Sequence, residues 1–148
     1  MFGLALVAGA AFLAQGVFGE GVHLLNCRSF GDASIPIRTY VSIVAYCAND
    51  ADCSNISYNI PDNHACIMSS TTAYETFHQW EGSSQSCTFA DTGVTFSWNI
   101  PANAQSLPDY SSVGTASNGF KTFAGFKDDN HNGANYNYHS CTRKYYYI

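Results

Sequence analysis

Among 148 residues, eleven Asp and Glu outweigh six Lys and Arg, for a net charge of −5 with charged side chains at only 11%. A chain so poor in cations lacks the electrostatic footprint of a nucleic-acid binder, whose affinity rests on neutralising phosphates, so no nucleic-acid partner is expected. Solubility must come from abundant Ser, Thr and Asn, a surface chemistry that suits an extracellular protein.

The first element is an apolar leader from Phe2 to Phe18 that holds no charged side chain. It is too short and too rich in Ala and Gly for a comfortable membrane span, which needs about 20 apolar residues. Val17 and Gly19 offer modest side chains three and one positions before a cut, so residues 1–19 read as a cleavable signal peptide. Residues 20–148 then form one domain, and the protein is secreted.

Beyond the leader the dominant period is two. Strands are predicted over residues 22–26 and over 38–46, the latter apolar on both faces and therefore central in a sheet. Alternating Ile56, Tyr58 and Ile60 predict another strand, stopped by Pro61, which cannot donate to a ladder. Residues 87–90 follow, and then the firmest strand, 92–99, in which Val94, Phe96 and Trp98 alternate with Thr95, Ser97 and Asn99. Further strands are predicted over 120–127 and 138–147. Residues 101–110 read as a helical turn that starts at Pro101 and ends at Pro108. Turn residues cluster at 31–36, 49–52, 61–63, 82–84 and 130–135. Short strands between frequent turns predict an all-β fold, a small antiparallel β-sandwich or barrel, with α+β as the alternative.

All six cysteines, Cys27, Cys47, Cys53, Cys66, Cys87 and Cys141, lie beyond the leader. An even count in an exported chain predicts three disulfides, whose partners remain open among the possible pairings. Cys47 and Cys53 are spaced too widely for a zinc knuckle, and no second close pair exists. Asn55-Ile56-Ser57 is a glycan acceptor sequon, so Asn55 is the expected glycosylation site.

The segments Gly21 to Cys27, Ala45 to Cys53, Trp80 to Phe89 and Val94 to Ile100, with Ser117-Asn118-Gly119-Phe120, together resemble a group of uncharacterised small secreted fungal proteins. That resemblance implies a fungal source and an extracellular setting, and carries no catalytic residues. Leu25-Asn26-Cys27-Arg28 is also similar, more weakly, to the opening of the mature killer-toxin-like proteins of fungi, which implies a toxin-like, channel-blocking role.

Three constellations offer chemistry. His78 and Glu81 supply an imidazole and a carboxylate, the acid–base pair a small secreted ribonuclease needs. On a strand, residues three apart face opposite sides, so the pair shares a site only across a turn or helix. Asp128-Asp129-Asn130-His131-Asn132-Gly133 matches the first half of a calcium loop, with Asp128, Asn130 and Asn132 as ligands. A hairpin turn with positive φ at Asn132-Gly133 explains the same residues, and no cofactor is otherwise expected. In the tyrosine-rich ending, Tyr145 and Tyr147 are expected to face the core, and Tyr146 to face outward as a sugar-stacking surface, with Trp80 a second candidate.

The function expected from these features is that of a secreted, effector-like or antimicrobial, toxin-like binding protein without catalysis. Its partner would be an extracellular target, a glycan or a membrane protein of another cell. A cell-wall glycan-binding module and a small hydrolase such as a ribonuclease are the alternatives.

Overall fold

The computed structural model describes residues 19–31, 37–128 and 131–148. The leader through residue 18, the turn residues 32–36 and the calcium-ligand candidate Asn130 lie outside the described residues. The described chain forms nine strands: β1 (Gly21–Ser29), β2 (Tyr40–Cys47), β3 (Ala65–Thr71), β4 (Ser84–Thr88), β5 (Thr95–Asn99), β6 (Ser112–Ser117), β7 (Thr122–Lys127), β8 (Asn132–Tyr136) and β9 (His139–Tyr147). A single helical turn, α1 (Asp50–Cys53), follows β2. The all-β expectation is met: every strand pairing is antiparallel, in the order β3-β2-β1-β9-β7-β6-β5-β4. The second half of β9 pairs with β7 and its first half with β8.

The two edge strands of this order are β3 and β4, and Cys66–Cys87 joins them with Cα atoms 6.1 Å apart. The sheet is thereby clipped into a nearly closed barrel, which removes the liability of exposed edges. Its interior is filled by the inward residues of the alternating strands. Val22, Leu24, Phe96, Trp98, Val113, Phe123, Tyr145 and Tyr147 are all buried there. The Phe96 ring meets Phe123 and Tyr147 edge-on at centroid separations of 5.5 and 5.4 Å, the geometry favoured by ring quadrupoles. Gly125 lies opposite Tyr147, and a Cβ there would overlap the tyrosine ring.

A second core lies on the outer face of β1 and β2. Leu25, Val41, Ile43 and Ala45 pack there with Ile60, Ala134 and Tyr136. The cover is α1, the irregular stretch 54–60 and β8. Ile60 donates its N–H to Asn135 at 2.8 Å, and Asn135 donates to Tyr58 at 2.8 Å, which fastens the stretch to β8. Cys27–Cys141 crosses the β1/β9 pair at directly opposed residues, and Cys47–Cys53 ties β2 to α1. Tyr40–Cys47 is buried on both faces, as its sequence predicts for a central strand.

A bulge places β9 across both cores. Leu24 pairs with Tyr145 but Leu25 pairs with Arg143, so Lys144 is the extra residue. This switches the phase: Tyr145 and Tyr147 face the barrel, while Cys141 joins the outer core.

Four predicted elements need correction. Residues 56–60 form turns rather than a strand, because the Asn55 side chain accepts the Ser57 N–H at 2.9 Å and leaves Ile56 62% exposed. Residues 50–53, predicted as loop, form α1, with Asn49 accepting the Ala51 N–H at its start. Residues 132–136, also predicted as loop, are strand β8. The hairpin turn lies at Asn137 and Tyr138, with φ of 40° and 61°, and not at Asn132-Gly133.

Candidate functional site

The proposed acid–base pair is not assembled. His78 meets Gln85 through Nε2 at 2.6 Å and lies edge-on to the Trp80 ring, whereas Glu81 points into the barrel. Glu81 is 5% exposed, and its carboxylate accepts from the Tyr145 hydroxyl and, at 2.7 Å, from Gln79 Nε2. Burial, then the Glu81 carboxylate, pushes the Tyr145 hydroxyl far up from its ordinary pKa. The two side chains share no direct hydrogen bond and are linked only through Gln85 and Gln79, because Gln85 Nε2 donates to the Gln79 carbonyl at 2.9 Å.

Trp80 offers no ligand surface, a correction to the sequence expectation. It is 2% exposed, and its Nε1 donates to Asn26 Oδ1 at 3.0 Å, an acceptor shared with the Ser42 hydroxyl. Tyr146 does face outward, half-buried, stacked on Phe126 at 5.4 Å between centroids. Asn55 is exposed, with its side-chain oxygen accepting the Ser57 N–H.

Of the calcium candidates, Asp128 is only 1% exposed and is already partnered by Arg143 and His131. Arg143 Nη2 lies 2.8 Å from its Oδ2, an ion pair without the alignment of a hydrogen bond, and His131 Nδ1 donates to Oδ1. Arg143 also donates to the Ser54 hydroxyl, pinning the outer cover to β9. Asn132 sits in β8 opposite Thr142. Among the described residues, no group of three His, Cys, Asp or Glu is placed to hold a metal.

The concave site lies instead at one end of the barrel. Val22, at the start of β1, lines a cavity of about 240 Å³, while Asn26, about 13 Å further along the strand, holds the Trp80 plug at the other end. Phe96 and Phe123 from the barrel interior, with Phe89 beyond β4, complete an apolar floor. The rim is polar. Glu20 accepts from Lys121 Nζ at 2.7 Å and from the Tyr46 hydroxyl at 2.9 Å, and Asn63 donates to Asp91 at 3.2 Å. The Lys121 ammonium holds the Glu20 carboxyl below the usual glutamate range, and lies 4.3 Å over the Phe123 ring centroid. Burial, reinforced by Glu20, pushes the Tyr46 hydroxyl up.

His64 lines the same cavity, its ring packed edge-on against Tyr46 at 5.6 Å. Sequence reasoning named none of these residues as a site. They come from six separated stretches, and the barrel alone brings them together.

No family model, curated protein or solved structure matches this chain.

Proposed function

We propose that this protein is a secreted, non-catalytic binding protein, effector-like or toxin-like, that takes a small apolar-bodied group of its target into the barrel mouth. The observation that carries the proposal is the apolar floor of Val22, Phe89, Phe96 and Phe123 beneath a polar rim. A floor of that chemistry favours an aromatic or short aliphatic body, and the rim adds orientation through Glu20, Asp91 and His64. The volume lies between that of a dry cavity that accepts a single ring, about 150 Å³, and the smallest drug-sized pockets, about 300 Å³.

Export is supported by three disulfides in one small domain, which persist where thiols are oxidised. No helix among the described residues is long and apolar enough to cross a membrane. The resemblance to small secreted fungal proteins supports the same setting and a fungal source. Glycosylation at Asn55 is part of the proposal, given its exposure.

The test uses the oxidised protein labelled for NMR and titrated with indole and with butylamine. Saturable shifts confined to the methyl and ring resonances of Val22, Phe89, Phe96 and Phe123 are expected. Thr92→Trp, which places a ring at the exposed rim, should abolish them. Shifts scattered elsewhere, or none up to millimolar probe, would overturn the assignment. Growth inhibition of a competing organism, lost in the same variant, would tie the site to an effector or toxin role.

A further inference from the structure

Strands β4 to β7 turn Cys87, Phe96, Trp98, Ala116 and Phe123 inward, which leaves an outer face of Ser, Thr and Asn. Register aligns these residues across the strands. Ser86 lies opposite Ser97, Ser97 opposite Ser117, and Ser117 opposite Thr122, so one row of hydroxyls crosses four strands over about 14 Å. Ser84 opposite Asn99 begins a second row, with Thr115 beside it on β6.

The face is concave. A shallow trough of about 490 Å³ follows these rows from β4 to β7, and no charged residue lines it. β5 and β6 pair at only two positions, Ser97 with Ser117 and Trp98 with Ala116. Ser86, Ser97, Asn99, Thr115 and Thr122 make no intramolecular side-chain hydrogen bond among the described residues. Trp98 lies beneath at 3% exposure, and its indole N–H also lacks a partner.

The chemistry narrows the occupant. An anionic polymer would need cations, which the trough lacks. A protein interface of this size is built on aromatic and Arg anchors and is depleted in Ser. What matches is a chain that is itself neutral and covered in hydroxyls, because each protein hydroxyl both donates and accepts. We propose that this trough is a docking surface for a neutral polysaccharide laid across β4, β5, β6 and β7. The trough shares no residue with the barrel mouth, so the two sites stand or fall separately.

Cosedimentation of the oxidised full-length domain with insoluble β-glucan, chitin and cellulose tests the proposal. Retention on at least one polymer is expected, unchanged in 0.5 M salt because no ion pairs are involved. Ser97→Arg at the centre and Thr122→Lys at the edge should each weaken retention by about tenfold with an unchanged melting temperature, through lost and obstructed hydrogen bonds. Thr92→Trp at the barrel mouth and Ile56→Ser on the outer cover should retain full binding. No retention on any of the three polymers, retention that salt removes, equal retention in both trough variants, or loss in Thr92→Trp would each overturn it.

Discussion

The inner face of β1 and β9 meets rings: Phe96, Phe123, Trp98, Tyr145 and Tyr147 fill the barrel, and Phe96 touches Phe123 and Tyr147 edge to face and Trp98 at a tilt. The outer face of β1 and β2 meets small and branched residues and four half-cystines, Cys27, Cys47, Cys53 and Cys141, beneath irregular chain and one helical turn. The inner core has strands on every side, so ring burial and ladder hydrogen bonds reinforce each other. The outer core has few ladder bonds above it: its cover is fastened by Cys47–Cys53 and by the Arg143 contact to Ser54, while Cys27–Cys141 crosslinks the strands beneath. A packed barrel is therefore self-supporting where its outer cover must be fastened.

The largest effect should come from breaking the inner core. Phe96→Ala removes the ring that three neighbours share and should cost about 3–5 kcal/mol, seen as a large, cooperative fall in urea midpoint. A loss below about 1 kcal/mol would mean that the barrel interior is loosely packed. Next comes the outer core. Replacing Cys27 and Cys141 together by Ser, across a separation of 114 residues, should cost about 2–4 kcal/mol. The Cys47 and Cys53 pair, separated by six, should cost less and raise amide exchange chiefly in residues 50–60. Equal losses from the two pairs would contradict the distinction drawn between a sheet crosslink and a local clip.

Gly125→Ala sharpens the inner side of the comparison, since its methyl would displace the Tyr147 ring at a cost of about 1–3 kcal/mol. The smallest effect belongs to the mouth. Glu20 has its folded pKa lowered, first by the hydrogen bond from Lys121, so its contribution is present above the ordinary glutamate pKa. That contribution is lost as pH falls through the lowered folded value. Solvent screening at this partly exposed pair keeps it under about 1 kcal/mol. Glu20→Gln should therefore lower the urea midpoint slightly at pH 7 and not at all at pH 2.

Much of the inner core was legible in the sequence, because alternation in Val94-Thr95-Phe96-Ser97-Trp98 fixes which side chains a strand must bury. Trp98 and Phe96 lie where that pattern places them, and so do Tyr145 and Tyr147. The outer core was not legible. Ile56, Tyr58 and Ile60 alternate just as well, yet an Asx turn at Asn55 overrides the pattern. In β9, residues 141, 143, 145 and 147 share parity but not a face, since the Lys144 bulge adds half a period that no composition signals. β6 escaped notice because Gly114, at φ 100°, interrupts Ser112–Ser117 with another bulge. β3 is an edge strand with weak alternation, Ala65 through Thr71. Disulfide partners are long-range facts, and so are both proposed sites. Glu20, His64, Phe89 and Phe123 meet only after the barrel closes, and the hydroxyl rows align only through the register of four strands.

The barrel mouth depends on the joining of the two sheet edges, so mapping the disulfides tests the account most directly. Proteolysis of the native, alkylated protein without reductant, followed by mass spectrometry, should recover Cys66 linked to Cys87, Cys27 to Cys141 and Cys47 to Cys53, with no alkylated thiol. Alkylated Cys66 and Cys87, or either one bonded to a different partner, would contradict the closed barrel and remove the basis for its mouth.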